Sequence, residues 1–217
     1  MTKETSKKPR RKSNIFTIET TGITKRFNKN LLFKDLAFSI KTGESLAVTG
    51  PNGSGKSTLL EIISGIQKSI KGKIEYRYNE EVVASNEIFN YIGFSSPLIN
   101  PYSELTGLEN IRFACGSRKN VLTKTEELLE RFDLYKHKDK CLKRYSSGMK
   151  QRLKFLIAIL GDPPVLLLDE PGTNLDRKGK DLIYSYIDSV KEERLIVIAT
   201  NEDEEAMLCH DCIYLGT

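Results

Sequence analysis

At 217 residues, 39% of them hydrophobic and 29% charged, the chain can bury the core of one α/β domain and is too apolar for wholesale disorder. Its apolar runs, such as residues 155–160 and 165–168, are far too short to cross a bilayer, and no apolar stretch follows the basic N-terminus, so neither a membrane span nor a secretory signal is expected. The formal net charge of +5 belongs to residues 1–13, where Lys3, Lys7, Lys8, Arg10, Arg11 and Lys12 face Glu4; the remainder is balanced, and no nucleic-acid face is expected.

Residues 1–13 read as a solvated, disordered basic tail, with weak attraction to anionic lipid as the sharper alternative. Residues 14–217 read as the folded domain. Residues 15–40 fit short strands, with turn signals at Thr21-Gly22 and at residues 28–30. Residues 45–49 form an apolar strand that runs into a glycine-rich turn. A buried helix over residues 56–66 follows, with Leu59, Leu60, Ile62, Ile63 and Ile66 inward, then strand candidates at 72–78 and 87–94. From about residue 96 to 160 the pattern turns helical, and Thr106/Glu109 and Thr123/Glu126 each resemble a capping box at a helix start. Strand-like runs return at 165–168 and 195–199, separated by a helix over 178–190. Continuous apolar strands alternating with helices predict an α/β fold whose parallel sheet is covered on both faces.

Two segments carry phosphate chemistry. Gly50-Pro51-Asn52-Gly53-Ser54-Gly55-Lys56-Ser57-Thr58 matches the phosphate-loop pattern in full, between a strand and a helix. Its glycines let backbone N–H groups turn around a phosphate, Lys56 can reach β- and γ-phosphates, and Ser57 offers a hydroxyl to Mg2+. Downstream, an apolar strand delivers Asp169 and Glu170 at its end, a magnesium ligand and a general base for the attacking water. A second anion site lies in Tyr145-Ser146-Ser147-Gly148 at the start of a helix, without the phosphate-loop lysine and metal ligands associated with the first. That division is economical if each nucleotide is gripped by two chains. The four cysteines form no disulfide framework, and Cys209-His210-Asp211-Cys212 lacks a second ligand pair for zinc.

The order GPNGSGKST, YSSGMKQR, LLLDEP, GTNLD and IVIAT resembles the ATPase domain of ABC transporters, exporter type, from about residue 15 onward. A narrower similarity is to the haem-exporter ATPase subunit of cytochrome c maturation. The resemblance implies a P-loop NTPase core with a mostly parallel sheet, a small antiparallel β subdomain and an inserted helical subdomain. It implies ATP and Mg2+ as cofactors, with Ser57 and Asp169 on the metal and Glu170, Lys56 and Asn201 in catalysis. It implies a head-to-tail pair in which Ser146 and Gly148 contact the γ-phosphate of the opposite subunit, and Phe27 stacking on adenine. Asn174-Leu175-Asp176 would lie between the two sites. Two positions depart from the family: Pro97 stands where Gln is usual, with Ser96 and Asn100 as nearby substitutes, and Asn201 stands where His is usual.

The implied function is an ATP-hydrolysing motor that drives a separate membrane-spanning permease, docked near residues 98–106, with export as the direction. Its partners would be that permease and a second ATPase subunit, like or unlike itself, at the cytoplasmic face of the membrane. Two other readings stand beside it: a non-transport ATPase of iron–sulfur assembly or cell division, and a weakly catalytic nucleotide sensor.

Overall fold

Residues 16–27 alternate buried and exposed positions and form one long strand, Phe16–Phe27 (β1), that pairs antiparallel with Asn30–Lys41 (β2). The computed structural model describes residues 14–28, 30–116 and 121–216, so the basic tail lies outside the described residues. The turn signal at Thr21-Gly22 is a bulge within β1 and not a chain reversal; the register to β2 shifts between Thr20 and Ile23, where Gly22 takes φ +63°. Lys71–Tyr78 (β4) and Glu81–Val83 (β5) complete a four-stranded antiparallel sheet in the order β2-β1-β4-β5.

The second sheet is parallel throughout. Its strands are Ser45–Thr49 (β3), Ile92–Ser95 (β6), Val165–Asp169 (β7), Leu195–Ala199 (β8) and Asp211–Tyr214 (β9), in the order β6-β7-β8-β3-β9. Burial of both faces explains why β7 and β8 read as unbroken apolar runs. Val165, Leu167, Leu195 and Val197 face a core shared with the antiparallel sheet and helix Lys56–Ile63 (α1). Leu166, Leu168, Ile196 and Ile198 face the other core, under helices Ser147–Ile159 (α4) and Arg177–Val190 (α5). There Phe155 meets Phe132 and Tyr186 with ring centroids 5.5 and 5.6 Å away, in edge-on contacts.

Between β6 and β7 the chain is helical, with Gly107–Cys115 (α2), Val121–Arg131 (α3) and α4. The capping box opens α2: Thr106 Oγ1 accepts from Glu109 N and the Glu109 carboxylate accepts from Thr106 N. The second box does not cap a helix. Because α3 already begins at Val121, Thr123 lies inside it. Two further expectations shift. The helix after the phosphate loop stops at Ile63, since Gly65 turns left-handed at φ +79°, and Ile66 is 60% exposed. Residues 87–94 split into a 3-10 turn, Ile88–Asn90, and β6. A short helix, Asp203–Ala206 (α6), precedes β9. No helix among the described residues is long and apolar enough to cross a membrane.

Candidate functional site

Four neighbouring strands of the parallel sheet, β6, β7, β8 and β3, end side by side, and adjacent strands lie about 5 Å apart. Each hands on a segment singled out from the sequence. β3 runs into the glycine loop, β7 into Asp169-Glu170, β8 into Thr200-Asn201, and β6 into Ser95-Ser96. Sheet order thus gathers groups that lie more than a hundred residues apart.

In the loop after β3, Gly50 has φ +140°, and a Cβ there would overlap the backbone of Leu215. Gly55 caps α1 with φ +101° and no side-chain cap, leaving the helix N–H groups open to an anion. Lys56 is 6% exposed, and its Nζ donates to the carbonyls of Gly50 at 2.8 Å and Pro51 at 3.2 Å, so the ammonium is held inside the loop. Ser54 Oγ is buried without a hydrogen-bond partner. A backbone cradle with an enclosed ammonium and an unsatisfied hydroxyl fits a phosphate chain.

Behind the cradle, Ser57 Oγ donates to Asp169 Oδ1 and Ser96 Oγ to Asp169 Oδ2, both at 3.1 Å. Ser96, 1% exposed, is thus the neighbour of Pro97 that reaches this acid, whereas Asn100 stays exposed at the rim of an apolar hollow. Burial pushes the Asp169 carboxyl above its ordinary pKa, while the two serine hydrogen bonds pull it down. Oxygen donors with one acid suit Mg2+, which keeps few carboxylates and takes phosphate oxygens as further ligands. Among the described residues no group of three or more His, Cys, Asp or Glu side chains is arranged to hold a metal.

Glu170 adopts φ +48°, uncommon for a residue with a Cβ. Its N–H donates to Ala199 O at 2.8 Å and its carboxylate accepts from Thr173 Oγ1 at 3.1 Å. It lines an open groove of about 380 Å³ with Phe27, Asn52, Lys56, Ser57 and Thr58. Phe27, 68% exposed at the end of β1, presents a free ring at its rim. Asn201 Nδ2 approaches Asn52 Oδ1 at 3.5 Å, so β8 delivers its amide to the mouth of the glycine loop. Ser146 and Gly148 do not line this groove. Ser146 caps α4, its Oγ accepting from Met149 N at 3.2 Å, and Gly148 faces the Asn174 carbonyl and Leu175. In the same signature Tyr145 is buried, donates to His137 O at 2.8 Å and has its pKa pushed up to about 12 by burial.

Two contributors escaped the sequence reading. Gln151 Nε2 donates to the carbonyls of Glu170 at 3.3 Å and Pro171 at 3.2 Å. A polar residue in line with Phe155 and Ala158 along α4 was the available signal. Glu205, 1% exposed, accepts from Gly172 N at 2.6 Å and Tyr184 OH at 3.2 Å, and burial raises its pKa. In the run Glu202-Asp203-Glu204-Glu205 nothing distinguishes it from solvated acids.

Residues 33–173, well over half of the chain, match the model of the ABC transporter family. The chain is 34% identical over 205 residues to human ATP-binding cassette sub-family A member 10, covering 89% of this chain and 13% of that protein. It is 34% identical over 204 residues to the sulfate/thiosulfate import ATP-binding protein CysA of Synechococcus elongatus, covering 90% of this chain and 58% of that one. To the Nod factor export ATP-binding protein I of Rhizobium johnstonii it is 32% identical over 194 residues, covering 87% and 62%. The chain therefore spans less than two thirds of the length of each of these curated relatives. Its fold is shared with a bacterial ABC transporter cassette solved as a dimer, at TM-score 0.80 and 26% identity, covering 91% of this chain and 94% of that one. A post-hydrolysis state of that cassette, dimeric and bound to ADP and Pi, superposes at TM-score 0.79, again with 26% identity and 91% and 94% coverage. The chain belongs to the ABC transporter family, as one of its ATP-binding cassettes.

Proposed function

We propose that the chain is an ATP-hydrolysing motor that pairs head-to-tail with a second cassette and drives a separate membrane-spanning permease. One observation carries this reading: the phosphate cradle and Glu170 line one groove, with Asp169 bonded to Ser57 and Asn201 beside Asn52, while Ser146 and Gly148 lie outside that lining at the start of another helix. An anion site without metal ligands beside it, away from its own groove, is complete once it meets the nucleotide of a second chain. The dimeric cassette of the same fold supports the pairing.

In this reading the loop amides and Lys56 bind the β- and γ-phosphates, and Phe27 stacks on the adenine. Ser57 and Asp169, joined by Ser96 in place of the usual Gln, would hold Mg2+, which neutralises charge on the phosphate oxygens when bound. Glu170 accepts a proton from the attacking water, and Asn201 donates a hydrogen bond to the γ-phosphate. Asn201 brings no positive charge, so turnover is slow. Asn201→His is expected to raise kcat about tenfold, the effect of restoring one charge-assisted contact. Steady-state kinetics at saturating ATP check this, and an unchanged kcat removes Asn201 from the reaction.

A docking face for the permease fits an apolar hollow of about 200 Å³ between β6 and the helical segment, lined by Phe94, Ile99, Tyr102, Phe113 and Ile157. Leu98 and Phe89 are 72% and 66% exposed close by in sequence. Asn110 pins the loop beside it, accepting from Tyr102 N at 2.7 Å and donating to Tyr102 O at 3.0 Å. Relatives named for import and for export resemble the chain about equally, so the likeness supports a motor without setting its direction. The test has two arms. Purified chain should release phosphate from Mg-ATP, and chain recovered from membranes should bring an integral-membrane protein with it. Turnover without such a partner favours a non-transport ATPase; ATP binding with no turnover favours a sensor.

A further inference from the structure

Glu170 sits in a left-handed backbone conformation, which persists in a residue with a Cβ only where surrounding contacts hold it. Those contacts come from both sides. The N–H of Glu170 is tied to Ala199 O on β8, and two residues on the N–H of Gly172 is tied to the buried Glu205. Between these anchors lie the carbonyls of Glu170 and Pro171, which point at the side-chain amide of Gln151. Gln151 is 6% exposed and stands near the start of α4, the thirteen-residue helix capped by Ser146. Its amide touches no group that would meet substrate. It touches the main chain that aims the carboxylate.

We infer that Gln151 is a positioning residue for hydrolysis: its amide fixes the backbone of Glu170 and ties that carboxylate to the helix beginning at Ser146. This rests on the ATPase reading above. Without the amide, the buried Pro171 carbonyl loses its side-chain donor and the Glu170 carbonyl keeps only the Thr173 N–H, so the left-handed turn can relax, moving the carboxylate from the line of attack. Nucleotide binding does not depend on the contact, because the cradle and Lys56 are built on β3 and α1.

The test compares wild type, Gln151→Ala and Gln151→Glu in the purified chain, with kcat, KM for Mg-ATP and thermal midpoint measured together. Gln151→Ala is expected to lose about tenfold or more in kcat at an unchanged KM. Gln151→Glu keeps the shape but turns a carboxylate towards two carbonyls. Its kcat should be low at alkaline pH and recover as acidification protonates the new side chain, which can then donate; wild type should show no such rise. If Gln151→Ala does not fold, the pH profile of Gln151→Glu decides. A kcat for Gln151→Ala equal to wild type, or a Gln151→Glu profile parallel to wild type, overturns the inference while leaving the ATPase reading intact. A wild type that turns over no ATP overturns both.

Discussion

Glu170→Gln is expected to lower ATP turnover by about 100- to 10,000-fold while leaving nucleotide binding intact. The amide is nearly isosteric with the carboxylate, can keep the hydrogen bond to Thr173 Oγ1 and leaves the backbone anchors at Ala199 and Gln151 in place. What it cannot do is take a proton from water. Blocked after binding, the cycle should accumulate an ATP-bound pair of cassettes. Size-exclusion chromatography with and without Mg-ATP, beside a phosphate-release assay, reads both effects. Hydrolysis at the wild-type rate sinks the general-base role, and a variant that stays monomeric at saturating ATP sinks the pairing.

Lys56→Ala should weaken ATP binding by about a hundredfold or more. A hydrogen bond from a charged donor is worth roughly 1.5 to 3 kcal/mol, and Lys56 can offer two to the phosphate chain. Each 1.4 kcal/mol is about a factor of ten in affinity. The side chain also serves the loop itself, where it satisfies the carbonyls of Gly50 and Pro51. Its removal therefore costs loop order as well as ligand contacts. Calorimetry with Mg-ATP, compared with the thermal midpoint without nucleotide, separates the two losses. Equal affinity in both proteins removes the phosphate loop from the binding account, and the motor reading falls with it.

Much of this site is legible in the residue order because its parts are local. Nine consecutive residues, Gly50 to Thr58, carry their glycines, lysine and hydroxyls in one unit, and their chemistry follows from backbone conformation and helix polarity. The apolar run before Asp169 announces a strand buried on both faces, and Thr106 with Glu109 announces the start of α2. Local pattern is less secure where two conformations use the same residues. Thr123 and Glu126 have the spacing of a cap yet lie within α3, and Ile66 continues an apolar stripe after Gly65 has ended the helix.

The residue order establishes which groups exist: an ammonium, hydroxyls, two adjacent carboxyl groups and an amide where an imidazole is usual. Only the three-dimensional arrangement selects Ser96 over Asn100 as the partner of Asp169, across 73 residues, and brings Asn201 to Asn52 across 149. The same holds for Gln151 and Glu205, whose importance comes from facing the backbone around Glu170. The reason is physical. A hydrogen bond acts over about 3 Å, and the strand order β6-β7-β8-β3 sets which distant segments come that close.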